Sequence, residues 1–201
     1  GAASQPISAV EDASEDGKSG TPIQLAQGET GDEPTARDED ATQTYLPNTG
    51  WTSEGAIKAV EPVGARGLKV TPALPGAPNA QGLIWLQLDE PTDITQLRFT
   101  IEVDVPPSLA RRDGPNNLHM QLAFKGGPPE FAFANTSWEL GLVNETTETI
   151  TFSLREGRFG FDDGLDPQQV AAVGLKFALG DSAGQAVTEP ITVKAIRIER
   201  L

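Results

Sequence analysis

The sequence predicts an all-β fold, a two-sheet β-sandwich preceded by an acidic, irregular N-terminal arm. Apolar and polar residues alternate with a period of two over Gly82–Pro106, which is typical of strands with one buried face. Glycine and proline, 21 and 16 of the 201 residues, recur between short apolar runs, as they do in sandwiches and barrels. Residues 1–44 show neither pattern, so we treat them as a separate segment.

Residues 1–44 are acidic and contain no aromatic side chain. They hold ten aspartate and glutamate residues against two basic ones, Lys18 and Arg37. A segment of this composition does not bury enough apolar area to offset the entropy lost on ordering. We therefore predict an acidic low-complexity arm or linker at residues 1–44 and a β-sandwich domain at residues 45–201. The arm is either a solvated linker or an extended segment that a partner orders.

The first predicted strands are short, and the longest alternation follows them. Gly55–Val63 and Gly67–Val70 alternate between apolar and polar residues, and a proline-rich loop follows. We interpret Gly82–Pro106 as a hairpin of two strands joined by a short polar turn. Its apolar residues, which we expect to face the core, are Ile84, Leu86 and Leu88, then Leu97, Phe99, Ile101, Val103 and Val105. Its outward residues are Trp85, Gln87 and Asp89, then Arg98, Thr100, Glu102 and Asp104.

The rest of the chain repeats the pattern of strand and turn. A single helical turn is predicted at Pro167–Val173, with Asp166 capping its N-terminus. Further strands are predicted at Leu118–Phe124, Phe131–Phe133, Trp138–Val143, Glu148–Leu154, Gly174–Leu179 and Ile191–Leu201. A domain of this length buries enough surface to fold without a disulfide or a metal.

Charge and composition exclude several functions. The chain has 15 basic and 29 acidic residues, a net charge of −14, whereas nucleic acids and anionic membranes bind basic surfaces. It has no cysteine, and no apolar run is long enough for a membrane-spanning helix. The opening residues GAASQ are typical of a mature or tagged chain without its targeting segment, which favours a secreted, periplasmic or cell-surface protein.

Catalytic chemistry has few candidate residues in this sequence. The single histidine, His119, lies in the middle of a predicted strand, and no Ser-His-Asp order or Gly-x-Ser-x-Gly elbow accompanies it. One histidine without cysteine does not build an imidazole-rich or thiolate metal site. A carboxylate pair for glycoside hydrolysis stays open on sequence alone. We expect neither an enzyme nor a cofactor.

Five segments occur in a distinctive order along the predicted sandwich. They are Thr49-Gly50-Trp51, Gly67–Val70, Asp93–Val103, Asp166–Leu175 and Ile191–Ile198. This order resembles that of the galactose-binding-domain-like jelly rolls found among carbohydrate-binding modules. The resemblance covers Trp51–Leu201 and implies a jelly-roll sandwich, a fold that serves sugar binding, adhesion or scaffolding in different members.

One feature of the resembling family is missing. Many members hold a structural calcium between acidic residues of the opening segment and an aspartate of the closing strand. Here Leu46–Gly50 and Val193–Ile196 lack the carboxylates that a hard cation requires, so we expect no metal there. We expect the acidic residues Asp162, Asp163 and Asp166 to form a solvated loop, with a different metal site as the alternative.

The outward side chains of neighbouring strands form the predicted ligand site. Sugar recognition needs an exposed aromatic ring beside planar hydrogen-bonding groups. If the predicted strands pair in a jelly roll, one face brings together Trp85, Gln87, Arg98, His119 and Gln121, with Lys176 on a fourth strand. We predict that a sugar stacks on Trp85 and that the others donate or accept hydrogen bonds.

Two alternatives apply to this face and its surroundings. In the first alternative, the arm or a loop covers Trp85. The face is then an ordinary solvated sheet surface or a contact for another subunit. Phe131, Phe133 and Phe161 lie near turns and are expected to plug the core or a loop, with a rim of the ligand site as the alternative.

The sequence thus predicts a non-catalytic, extracytoplasmic carbohydrate-binding-like module whose partner is a polysaccharide or glycan. The alternative is a structural or accessory subunit of a larger extracellular assembly, tethered to a protein partner by its N-terminal arm.

Overall fold

A computed structural model of the chain describes residues 5–6, 43–106, 118–136, 147–153, 159–161, 165–180 and 185–201. This part of the chain is all β, as predicted, and contains no helix of the length and apolarity that a membrane span requires. Its strands are β1 Gln5–Pro6, β2 Gln43–Tyr45, β3 Trp51–Gly55, β4 Ile57–Val63, β5 Gly67–Pro72, β6 Gln81–Asp93, β7 Leu97–Asp104, β8 Leu118–Gly126, β9 Phe133–Thr136, β10 Thr147–Ser153, β11 Phe159–Phe161, β12 Val170–Leu179 and β13 Ile191–Arg200.

The described strands form two sheets. The seven-stranded sheet has the order β1-β6-β12-β8-β9-β11, with β3 also pairing to β6. The six-stranded sheet has the order β10-β7-β13-β5-β4, with β2 also pairing to β13. Neighbours are antiparallel except for β1, which pairs in parallel with Thr92 and Asp93 of β6. Two such sheets packed face to face make the predicted β-sandwich.

The core lies between the sheets and takes alternate residues from each strand. Ile84 of β6 and Met120 of β8 face it from the seven-stranded sheet, and Ile101 of β7 faces it from the other sheet. The rings of Phe99 (β7) and Phe124 (β8) meet across the layers, 5.5 Å apart between centroids. Because successive side chains of a strand point to opposite faces, the intervening residues lie on the outer faces of the sandwich.

The predicted hairpin at Gly82–Pro106 is wrong, although both of its strands exist. Strand β6 pairs with β12 and β3, whereas β7 pairs with β10 and β13 in the other sheet. The side chain of Asp93 accepts hydrogen bonds from the backbone and hydroxyl of Thr95, at 2.8 and 2.6 Å, and Ile94 is buried in the core. The turn between the strands therefore carries the chain from one layer to the other instead of folding it back within one sheet.

Other boundaries also differ from the predictions. The predicted helical turn at Pro167–Val173 is a tight turn followed by β12, because Asp166 accepts the N–H of Gln168 through Oδ1 (2.9 Å) and that of Gln169 through its carbonyl (3.0 Å). Strands β1, β2, β3 and β11 were not predicted. Several predictions concern residues outside the described ones: residues 1–4 and 7–42 of the predicted arm, the predicted strand Trp138–Val143, and the acidic residues Asp162 and Asp163.

Candidate ligand-binding face

An apolar cluster lies on the outer face of the seven-stranded sheet, away from the core. Strand register places Trp85 of β6 beside Gly174 of β12, and Gly174 beside Ala123 of β8. Leu83, Trp85, Ala123 and Ala172 are all buried there, with Phe133 packed against them, and we call this group the Trp85 cluster. A sheet face that is in contact only with water is expected to carry polar side chains. An apolar group on this outer face therefore indicates a contact or a binding role.

Glycine at position 174 lets the indole of Trp85 lie against β12. A Cβ atom on Gly174 would stand 2.5 Å from Cε3 of Trp85, closer than two carbons approach. Phe133 meets the indole edge-on, with ring centroids 6.0 Å apart and planes at 79°. The indole Nε1 donates a hydrogen bond to Oε2 of Glu54 on β3, at 2.9 Å. Residues of three other strands, β12, β9 and β3, therefore fix the orientation of this ring.

Lys125 of β8 covers the face of the Trp85 indole that is directed towards solvent. Its ammonium lies 4.2 Å from the centroid of the Trp85 ring and 3.7 Å from Oε2 of Glu54, a cation–π contact joined to an ion pair. Only 7% of Trp85 is exposed as a result of all these contacts. The indole points outward, as its place in the alternation predicts, but it is covered and is not the open stacking surface expected from the sequence.

The sequence-predicted residues on this face differ in exposure. Gln87 is exposed, and its Nε2 donates to the carbonyl of Ala171 at 2.9 Å. Gln121 is fully buried (0% exposed), and His119 is half-buried. Lys176 lies between Leu83 and Gln121 in register, and burial lowers its pKa from the ordinary lysine value. These residues share the outer face with Trp85, and their role in ligand binding stays a prediction.

Arg98 does not share that face, which corrects the predicted grouping. It lies on β7 in the six-stranded sheet, where its neighbours in the strand face the core, and its Nη1 is 3.7 Å from Oε1 of Glu199. Packed sheets stand about 10 Å apart, so outward side chains of the two sheets lie on opposite sides of the molecule. The grouping fails because β6 and β7 do not pair.

Sequence reasoning missed Glu54 and Lys125 as part of this site. Lys125 follows His119 and Gln121 at the same alternating spacing on β8, so the periodicity contained a signal for it. No sequence signal pointed to Glu54, because β3 is almost wholly exposed and lacks alternation.

Phe131, in the turn before β9, is 55% exposed and has a φ of 48°, which is unusual for a residue other than glycine. Phe133 packs on the Trp85 cluster and does not plug the core.

Two solved structures with a similar architecture are carbohydrate-binding modules. The module CBM27-1 of Caldicellulosiruptor saccharolyticus, solved with mannohexaose, superposes with a TM-score of 0.53 at 13% identity, covering 76% of this chain and 91% of that one. The family 11 module of Clostridium thermocellum, solved with a β-1,3-1,4-mixed-linked tetrasaccharide, gives 0.53 at 12% identity, covering 79% and 95%. The chain therefore has the jelly-roll β-sandwich fold of such modules, which confirms the fold that the sequence resemblance implied.

A scan against protein-family models and a search of curated proteins each found no match.

Proposed function

We propose that the chain is a non-catalytic carbohydrate-binding module that acts outside the cytoplasm and uses the outer face of its seven-stranded sheet. The observation that carries the proposal is the Trp85 cluster, a buried apolar group on an outer sheet face that a monomer in water would otherwise leave polar. The likeness in fold to modules solved with oligosaccharides supports this interpretation.

The chemistry of the face suits a sugar. A pyranose ring offers an apolar face bordered by hydroxyl groups, so its site needs an aromatic surface beside side chains that donate and accept hydrogen bonds. Trp85 and Phe133 supply the aromatic groups. The exposed amide of Gln87 and the carboxylate of Glu54 lie beside them and supply hydrogen-bonding groups. For Phe133, and for the exposed Phe131 two residues before it, a place at the rim of the ligand site therefore fits better than a role in plugging the core or a loop.

Calorimetry with defined oligosaccharides tests the proposal. The wild-type chain is titrated with mannohexaose and with a β-1,3-1,4-mixed-linked tetrasaccharide, and is screened on an array of polysaccharides. We expect binding of at least one glycan, and a loss of about fivefold or more in affinity for Gln87→Ala, which removes an exposed hydrogen-bonding group.

The matched control is Arg98→Ala, an outward residue of the opposite sheet. It should leave the affinity unchanged. Binding that Arg98→Ala weakens and Gln87→Ala does not would move the site to the six-stranded sheet. Failure of every glycan to bind would reject the proposal.

A second candidate function is that of an accessory subunit in a larger assembly. The composition of residues 1–44 favours it, because a segment with ten acidic residues, two basic ones and no aromatic side chain gains order from a partner and not from a core of its own. On this candidate, removing residues 1–42 abolishes co-purification with the assembly, while the circular dichroism of the sandwich stays the same. Unchanged co-purification of the shortened chain contradicts it.

A further inference from the structure

We propose that Lys125 is a specificity-determining residue of the proposed glycan site, because its ammonium occupies the surface of Trp85 on which a sugar ring would stack. The inference rests on the proposed function and adds a condition to it. A ligand reaches the indole only by displacing Lys125, so the site selects ligands whose stacking on the ring outweighs that contact.

The position of Lys125 is fixed by two contacts that converge on it. Its Nζ lies 4.2 Å from the centroid of the indole and 3.7 Å from Oε2 of Glu54. The same carboxylate oxygen accepts the indole N–H at 2.9 Å. Glu54 therefore holds both the ring and its cover, and it keeps the ring oriented when the cover moves away.

The cover is weak enough to be displaced. The side chain of Lys125 is 31% exposed and that of Glu54 is 59% exposed, so water screens their ion pair. An exposed ion pair and a partly exposed cation–π contact together shift an equilibrium by about five- to tenfold. A ligand that stacks on the indole therefore loses about the same factor in apparent affinity, and only a ligand whose stacking exceeds this loss binds there.

This arrangement selects a class of ligand. A neutral sugar ring with one unsubstituted, apolar face replaces the ammonium on the indole and buries apolar area in exchange. A ring whose faces both carry axial or charged substituents does not make that contact and gains nothing from displacing Lys125. The site is therefore expected to prefer unbranched chains of flat rings over branched ones.

Fluorine NMR of the full chain labelled with 5-fluorotryptophan tests the cover directly. The sequence has 3 tryptophans, and the Trp85 resonance is assigned by its loss in Trp85→Phe. Exposure of each indole is measured as the shift of its resonance between H₂O and D₂O. We expect Lys125→Ala to increase the exposure of Trp85 and to tighten mannohexaose binding about five- to tenfold.

Two further variants make the test specific. Glu54→Gln keeps an acceptor for the indole N–H but removes the ion pair, so it should produce a smaller effect in the same direction. Lys58→Ala makes the same charge change on the exposed face of β4 in the other sheet, and should change neither readout.

The possible results separate this inference from the proposed function. If Trp85 is no more exposed in Lys125→Ala than in the wild type, Lys125 does not cover the indole and the inference is wrong. Increased exposure with weaker glycan binding overturns it as well, because Lys125 would then be a ligand contact and not a barrier. Increased exposure without glycan binding by any variant rejects the proposed function, and the specificity role with it, while the closed indole of the free protein stands.

Discussion

At the scale of single residues, Gly174 sets the position of the Trp85 ring. We predict that Gly174→Ala lowers the free energy of unfolding by about 1–3 kcal/mol, because the added methyl would stand 2.5 Å from the indole and 2.7 Å from the carbonyl oxygen of Ile84. Urea denaturation measures the change, and near-ultraviolet circular dichroism reports the displaced indole. Gly127→Ala is the matched control, since its nearest neighbour would be the Cβ of Ala171 at 3.9 Å, so it should fold as stably as wild type. Equal stability of the two variants would contradict the close packing at Gly174.

Lys176 gives the residue-scale prediction for pH. Burial lowers its pKa in the folded chain, so the unfolded chain binds more protons between that lowered pKa and the ordinary lysine value. The contribution of Lys176 to stability therefore rises with pH through this window. We expect Lys176→Met to be more stable than wild type near neutral pH, with the difference shrinking towards about pH 10. Denaturation midpoints of both chains over this range measure it, and a constant difference would contradict the assignment.

At the scale of elements, Asn48 joins the segment between β2 and β3 to the β4–β5 hairpin. Its Nδ2 donates to the carbonyls of Gly64 and Gly67, at 3.0 and 3.1 Å, on either side of the hairpin turn. We predict that Asn48→Ala lowers the free energy of unfolding by about 1–3 kcal/mol, because both hydrogen bonds are lost. Thermal denaturation measures the loss, with the exposed neighbour Thr49→Ala as the control. A variant at position 48 as stable as the one at position 49 would show that the hairpin holds without this bridge.

The sequence predicted the faces of the strands better than their partners. Alternation correctly separated core from outer residues on β6, β7 and β8, because burial of one face requires a period of two. It did not predict which strands pair, since β6 and β12 meet across a long stretch of chain, and Arg98 was therefore misplaced. The enclosure of Trp85 was also beyond prediction, because Glu54, Lys125 and Phe133 reach it from three other strands.

At the scale of the whole molecule, we propose that the independently folding unit begins near residue 43. Strand β2 pairs with β13, and Leu46 is buried in the core and donates its N–H to the carbonyl of Ile196 at 2.9 Å. We expect a chain of residues 43–201 to melt within a few degrees of the full chain, since it retains these contacts. A chain of residues 51–201 should melt about 5 °C or more lower, because it loses a buried leucine and the bonds of Asn48. Differential scanning calorimetry compares the three, and equal midpoints for the two shortened chains would reject the boundary.

The central place of β13 in the six-stranded sheet has a consequence for biosynthesis. Strand β13 pairs with β2, β5 and β7, all of which precede it by a long stretch of chain, so those pairings form only after Ile191–Arg200 has left the ribosome. The local β4–β5 hairpin can close early, but the nascent sheet keeps an unpaired edge at β7 until translation of the domain ends. Exposed edges of this kind invite pairing with other chains, so we expect newly synthesised copies of this protein to aggregate more readily before β13 is in place than after it.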